Sequence, residues 1–199
     1  MVDGALTIAP GGTLSPGEAN IGAISLQNSP ALQGGAFMEI SKNGALRNND
    51  LLQVLSHPLA YGGSLTVSNR GPSALALGDS FQLFAATGFS GVFSPVTLPA
   101  LPAGLMWSNS LLTTGAITVV ARTSPTISAA VATGANLSFN VTGGSPGAPW
   151  SLLTSADVAL PLSSWTTIGA GNFDWLGNVS LTNAISANET SRFFIVNAP

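Results

Sequence analysis

The chain has 199 residues, of which 45% are hydrophobic and only 7% charged, with a net charge of −3. That length suffices for one large all-β domain or two small ones. The five basic residues, Lys42, Arg47, Arg70, Arg122 and Arg192, are scattered and form no stripe against a phosphate backbone, which argues against nucleic acid as a partner; the absence of cysteine excludes disulfides and thiolate metal sites.

An average soluble domain is about 25% charged, so solubility here must come from Ser, Thr, Asn, Gln and backbone groups. Such surfaces suit extracellular β-proteins. No run approaches the roughly 18 apolar residues of a transmembrane helix. The first residues, Met1 to Thr7, lack the basic and apolar regions of a signal peptide. A secreted or cell-surface protein with this start is expected to be a fragment of a longer precursor.

In chain order, 23 Gly and 13 Pro punctuate short apolar runs. The runs cover 5–8, 21–26, 36–40, 51–55, 64–67, 81–85 and 116–120, and turn pairs such as Asn43-Gly44, Gly62-Gly63 and Gly71-Pro72 separate them. Many short strands follow from that pattern. Both a sandwich and a parallel β-helix would use it. Residues 4–14 and 20–32 are spaced like successive solenoid coils, with 11–17 as a tight corner between them. After Ser124 and Pro125 the alternation sharpens: Leu137, Phe139 and Val141 share one strand face, Ser138 and Asn140 the other. Further strands are expected at 151–154, 166–168, 178–181 and 192–196. The last, Arg192-Phe-Phe-Ile-Val, reads as a central strand because both its faces are apolar. A boundary near 122–126 divides the chain into 1–122 and 123–199.

Catalytic residues are not indicated. His57, the one histidine, precedes Pro58 in a loop with no acidic neighbour. Of the carboxylates Asp3, Glu18, Glu39, Asp50, Asp79, Asp157, Asp174 and Glu189, the most plausible glycosidase pair is Glu39 with Asp50. The competing reading pairs Glu39 with Lys42 or Arg47 and makes Asp50 a turn cap; Asp79 likewise reads as a turn residue. Asp174 and Asn178, in Asp-Trp-Leu-Gly-Asn, are a weak calcium candidate. Calcium wants six to eight oxygens, and a hairpin turn explains the pattern better. Trp107 and Trp165 read as packing residues. Trp175, Trp150 and Tyr61 are the candidate sugar-stacking rings, since the C–H face of a pyranose is apolar. Trp175 stands at a turn, either folded back or exposed for contact. Four Asn-X-Ser/Thr sequons begin at Asn136, Asn140, Asn178 and Asn188.

The stretch Leu14-Ser-Pro-Gly, Ile21 to Leu26, Phe37 to Lys42, Asn49-Asp50 and Tyr61 to Val67 resembles the end of the autotransporter-associated β-strand repeat proteins of verrucomicrobial and planctomycetal type. Gly78 to Phe84 and Leu98 to Trp107 extend the resemblance to about residue 120. Leu152-Leu-Thr-Ser, Leu160 to Trp165, Phe173-Asp and Arg192-Phe-Phe are similar to the small module that closes such proteins. The resemblance implies the end of a right-handed parallel β-helix over 1–122 and a small antiparallel β-sandwich over 123–199. It implies a secreted structural role in surface display, adhesion or self-assembly, and it brings no catalytic residues. The expected partners are the protein itself, by edge or end-to-end association, or an extracellular polysaccharide. No cofactor is expected beyond the calcium candidate.

Overall fold

A computed structural model describes residues 6–18, 20–185 and 191–198. Among them the protein is all-β, with several small sheets, no α-helix and one 3-10 turn at Leu162–Ser164. The chain forms two compact units, Met1–Arg122 and Thr123–Pro199.

The first unit begins with β1 (Thr7–Ile8), β2 (Thr13–Leu14) and β3 (Ala23–Leu26), then β4 (Ala31–Leu32), β5 (Gly35–Asn43), β6 (Leu46–Asn49) and β7 (Leu51–Val54). β8 (Leu59–Tyr61), β9 (Ser64–Asn69), β10 (Ser80–Gln82), β11 (Phe84–Ala85), β12 (Phe89–Gly91) and β13 (Val96–Thr97) follow, and β14 (Leu105–Ser110) and β15 (Ala116–Ala121) end it. The longest parallel ladder runs β2-β5-β9-β13. In it Leu14, Ala36, Leu65 and Val96 lie side by side in register, and all four are buried. A second ladder, β3-β7-β11, aligns Ile24, Leu52 and Phe84. β1 pairs β4, and β8 pairs β12, also in parallel. Each short strand thus stacks an apolar side chain on its like in the next pass of the chain. Because parallel strands require a crossover, every pass must first go elsewhere before returning beside itself.

The run 81–85 is not one strand. Phe81 pairs antiparallel with Ile117, while Phe84 pairs parallel with Leu52, so the chain changes sheets at Leu83. β10 joins β15 and β14 in an antiparallel sheet whose buried residues include Phe81, Met106, Trp107, Ile117 and Val119. The expected corner at 11–17 contains β2, too short to register as a run. β5 continues past the ladder into an antiparallel hairpin with β6. Gly44 turns it with φ +61, in open space.

The second unit has β16 (Thr126–Thr133), β17 (Asn136–Thr142), β18 (Pro149–Ser155), β19 (Thr166–Asn172), β20 (Val179–Ala184) and β21 (Phe193–Asn197). They form two antiparallel sheets, ordered β16-β17-β20 and β19-β18-β21. Phe139, Val141, Trp150, Leu152 and Phe173 make the core between them, flanked by Leu137, Ile168, Leu181, Phe194 and Val196. The strand read as central, β21, is an edge; β18 takes the centre of its sheet. In β21 Phe193 is exposed, and Phe194, Ile195 and Val196 are half-buried, as suits an edge rather than a central position.

Candidate functional site

Six charged side chains of the first unit, Glu39, Lys42, Arg47, Asp50, Arg70 and Asp79, lie on or bond to its β5–β6 hairpin and the residue after it. Asp50 is fully buried, and its carboxylate accepts two backbone N–H groups at 2.8 Å: Oδ1 from Gly22, before β3, and Oδ2 from Glu39, in β5. One side chain therefore ties two passes of the chain together. Burial pushes the Asp50 carboxyl above its ordinary value, against the two N–H groups that pull it down.

Glu39 is equally buried. Its Oε1 accepts from Arg70 Nε at 2.6 Å, whereas Oε2 has no donor among the described residues. Neither carboxylate meets solvent, so the pair cannot flank a bound sugar. The expectation that Glu39 pairs with Lys42 or Arg47 is also corrected, because both cations turn to Asp79. Lys42 Nζ donates to Asp79 Oδ2 at 2.7 Å, and Arg47 donates to Oδ1 at 2.9 Å. The Ala76 amide adds a third bond, at 2.7 Å. Burial works to raise the Asp79 carboxyl, but these donors outweigh it and hold it below its ordinary value. Asp79 is thus a buried ionic anchor for the hairpin as well as a turn residue.

The three proposed stacking rings are buried, and none offers the open face that sugar stacking requires. Tyr61, in β8, stands among Phe84, Phe89 and Phe93, with ring centroids 5.2, 5.7 and 4.7 Å away. Its hydroxyl donates to the Leu111 carbonyl at 2.8 Å, and burial raises its pKa. Trp150 pairs across the ladder with Gly171. Its ring occupies the space a side chain there would need: a Cβ on Gly171 would come 2.9 Å from Trp150 Cζ2. Trp175 is buried as well, despite its turn position. Trp107 is buried and donates to the Pro99 carbonyl at 2.9 Å; Trp165 is half-buried and donates to Leu160 at 3.0 Å.

The calcium candidate is a closed turn. Asp174 Oδ1 accepts the amides of Leu176 and Asn178 at 2.9 and 2.7 Å, and the Asp174 amide donates to the Asn178 carbonyl at 2.9 Å. One carboxylate oxygen, Oδ1, is thereby committed to the backbone of its own loop. His57 is exposed, with Nδ1 2.9 Å from the Gln27 carbonyl. Among the described residues, no three His, Asp or Glu side chains gather as a metal site would require. Asp3, Glu189 and the sequon at Asn188 lie outside the described residues.

What remains open is one rim of the first unit. Among the described residues, β1, β2 and β3 each have a ladder partner on one side only, respectively β4, β5 and β7. Ile8 and Ile24 sit in these strands half-buried, although Leu32 and Leu52 beside them are buried. Among the described residues, backbone without a second strand partner and a partly exposed apolar end coincide there. Of the antiparallel sheet β10-β15-β14, strands β14 and β15 follow the last parallel strand, β13, in sequence, while β10 precedes β11. Among the described residues, no helix is long and apolar enough to cross a membrane. In comparisons with known protein families, curated proteins and solved structures, the chain matches none.

Proposed function

We propose that this protein is a non-catalytic, secreted structural module that ends a parallel β-helix at or near a cell surface. Residues 1–122 are its terminal coils and cap, and 123–199 a small β-sandwich, as the resemblance to autotransporter-associated β-strand repeat proteins implies. The column Leu14, Ala36, Leu65 and Val96 carries the reading. Successive passes of the chain stack one buried apolar residue on the next in parallel register, as the coils of a solenoid do. The ladders β3-β7-β11 and β8-β12 repeat that stacking on other faces.

In this reading the rim of β1, β2 and β3 receives a preceding coil, and β10-β15-β14 closes the opposite end. An uncapped solenoid end offers unpaired N–H and C=O groups to any strand, and the cap removes that hazard. The non-catalytic part of the proposal is supported by the commitment of Glu39, Asp50 and Asp79 to buried structural bonds. Secretion is supported by the sparse charge and the absence of cysteine.

A capping transplant tests the proposal. A parallel β-helix lacking its own C-terminal cap aggregates through its open edge. Joined in register to β1 of this protein, it is expected to become soluble and monodisperse by light scattering. Aggregation equal to that of the uncapped parent would remove the reading.

A further inference from the structure

Strand β16 differs from every other edge in the second unit. All eight residues, Thr126–Thr133, are exposed on both faces, including Ile127 at 39% and Val131 at 55%. The strand pairs with β17 on one side and, among the described residues, with no strand on the other. By contrast, exposure alternates along β20, the far edge of the same sheet.

Exposed edges are normally blunted by lysine, proline, an inward charge or a bulge. From Thr123 to Ala156 the chain carries no charged residue at all, and neither does β20. Pro125 stands just before β16, and no proline lies within it. The one device present is a bulge. Register with β17 shifts between Ser128 and Val131, and Ala129 takes φ +51, a left-handed value that an alanine rarely adopts.

We propose that β16 is a self-pairing edge, through which two copies of the protein join antiparallel about a twofold axis between Ala129 and Ala130. The sequence Thr-Ile-Ser-Ala-Ala-Val-Ala-Thr is complementary to itself about that point. Thr126 meets the partner's Thr133, Ile127 meets the partner's Ala132, and Ser128 meets the partner's Val131. Each large side chain faces a small one, the two alanines leave the axis uncrowded, and no like charges oppose. A strand without charge has nothing with which to select a differently charged partner, whereas a twofold axis makes its own pattern the complement. Two three-stranded sheets so joined form one continuous six-stranded sheet of uncharged strands.

The size of the contact sets its strength. Eight residues at about 3.4 Å each give an edge about 27 Å long. One strand pair of that length buries well under the roughly 1,200 Å² of a stable interface, so the dimer is weak and concentration-dependent. The bulge divides the pairing into two short arms, and one such edge per copy closes the assembly at two. This inference does not rest on the β-helix reading, since β16 lies in the other unit.

Sedimentation velocity of the full chain from about 1 μM to about 1 mM tests it, a range that spans weak association. The wild type is expected to shift from monomer to dimer with concentration. Val131→Lys and Ile127→Lys, on exposed positions that leave folding intact by circular dichroism, are expected to stay monomeric. Thr167→Lys, an exposed position on edge strand β19, is expected to dimerise like the wild type. A wild type that remains monomeric throughout, or a Val131→Lys variant that still dimerises, overturns the proposal. Loss of the dimer only in Ile24→Lys, at the rim of the first unit, also overturns it and assigns the contact to that rim.

Discussion

Replacing Asp79 by asparagine keeps the shape of the side chain and removes its charge. The amide oxygen, placed where Oδ2 stands, can still accept from Ala76 and Lys42. The amide nitrogen then faces Arg47, a donor, which is 45% exposed and can turn to water. Lys42 cannot follow, because its side chain is only 12% exposed. The variant therefore strands one largely buried cation. Removing one member of a buried pair costs about 3–5 kcal/mol, and the solvation of Arg47 places this case near the low end, about 3 kcal/mol. Hydrogen exchange across β5, β6 and β10 reads that loss locally: at 1.4 kcal/mol per tenfold, protection should fall about a hundredfold. The sign with pH is fixed by the lowered Asp79 pKa. Its stabilisation is complete above the unfolded carboxylate value of 3.8 and is lost as pH falls through the lower folded value. The gap between wild type and Asp79→Asn should therefore be widest near neutrality and close in acid. The double variant Lys42→Met/Asp79→Leu leaves no unpaired ion buried, since Arg47 turns to water, and should recover most of the loss. A change in protection under about threefold for Asp79→Asn, or no recovery in the double variant, would refute the reasoning.

Other outcomes follow from single positions. Trp150→Ala and Trp175→Ala should each cost the second unit about 3–5 kcal/mol, enough to unfold so small a domain, because both rings are buried; glycan arrays should show no binding by the wild type for either ring to support. Gly63→Ala should lower the melting temperature sharply, since a Cβ there would run into the Gly34 carbonyl at φ +64, while Gly44→Ala, at φ +61 in open space, should cost only about 1–2 kcal/mol. Differential scanning calorimetry of the two variants separates collision from backbone strain. Asp174→Ala should cost about 1 kcal/mol by freeing the Leu176 and Asn178 amides, and millimolar calcium should shift the melting of neither wild type nor variant.

The sequence makes some strands legible and conceals others for identifiable reasons. β17 stands out because Phe139 and Val141 are buried and the residues between them are not, so burial writes a period of two into the chain. β16 carries no such period because neither face is covered, and Thr-Ile-Ser-Ala-Ala-Val-Ala-Thr offers no contrast to read. β2 and β4 are two residues each, shorter than any run that periodicity can detect. The sheet change at Leu83 is silent because Phe81, Leu83 and Phe84 are all buried on whichever ladder they join. Charge pairing fails for a different reason. Arg70 lies 31 residues from Glu39 and Lys42 lies 37 from Asp79, so proximity in sequence favours the wrong cations for Glu39. The turn at Trp175 is visible from Asp174 and Gly177, but the direction of the ring is decided by tertiary packing.

The alternation that buries Phe139 and Val141 and half-buries Leu137 also places Asn136, Ser138, Asn140 and Thr142 on the opposite, exposed face of β17. Two sequons, at Asn136 and Asn140, are a by-product of that geometry: an acceptor asparagine and its hydroxyl residue, two apart, necessarily share a face. The choice of production host therefore becomes a structural variable. Made in a eukaryotic secretory pathway, the protein would present these asparagines for glycosylation on the strand beside β16, and a bulky glycan there would cover the outer face of the sheet. Bacterial expression leaves that face bare.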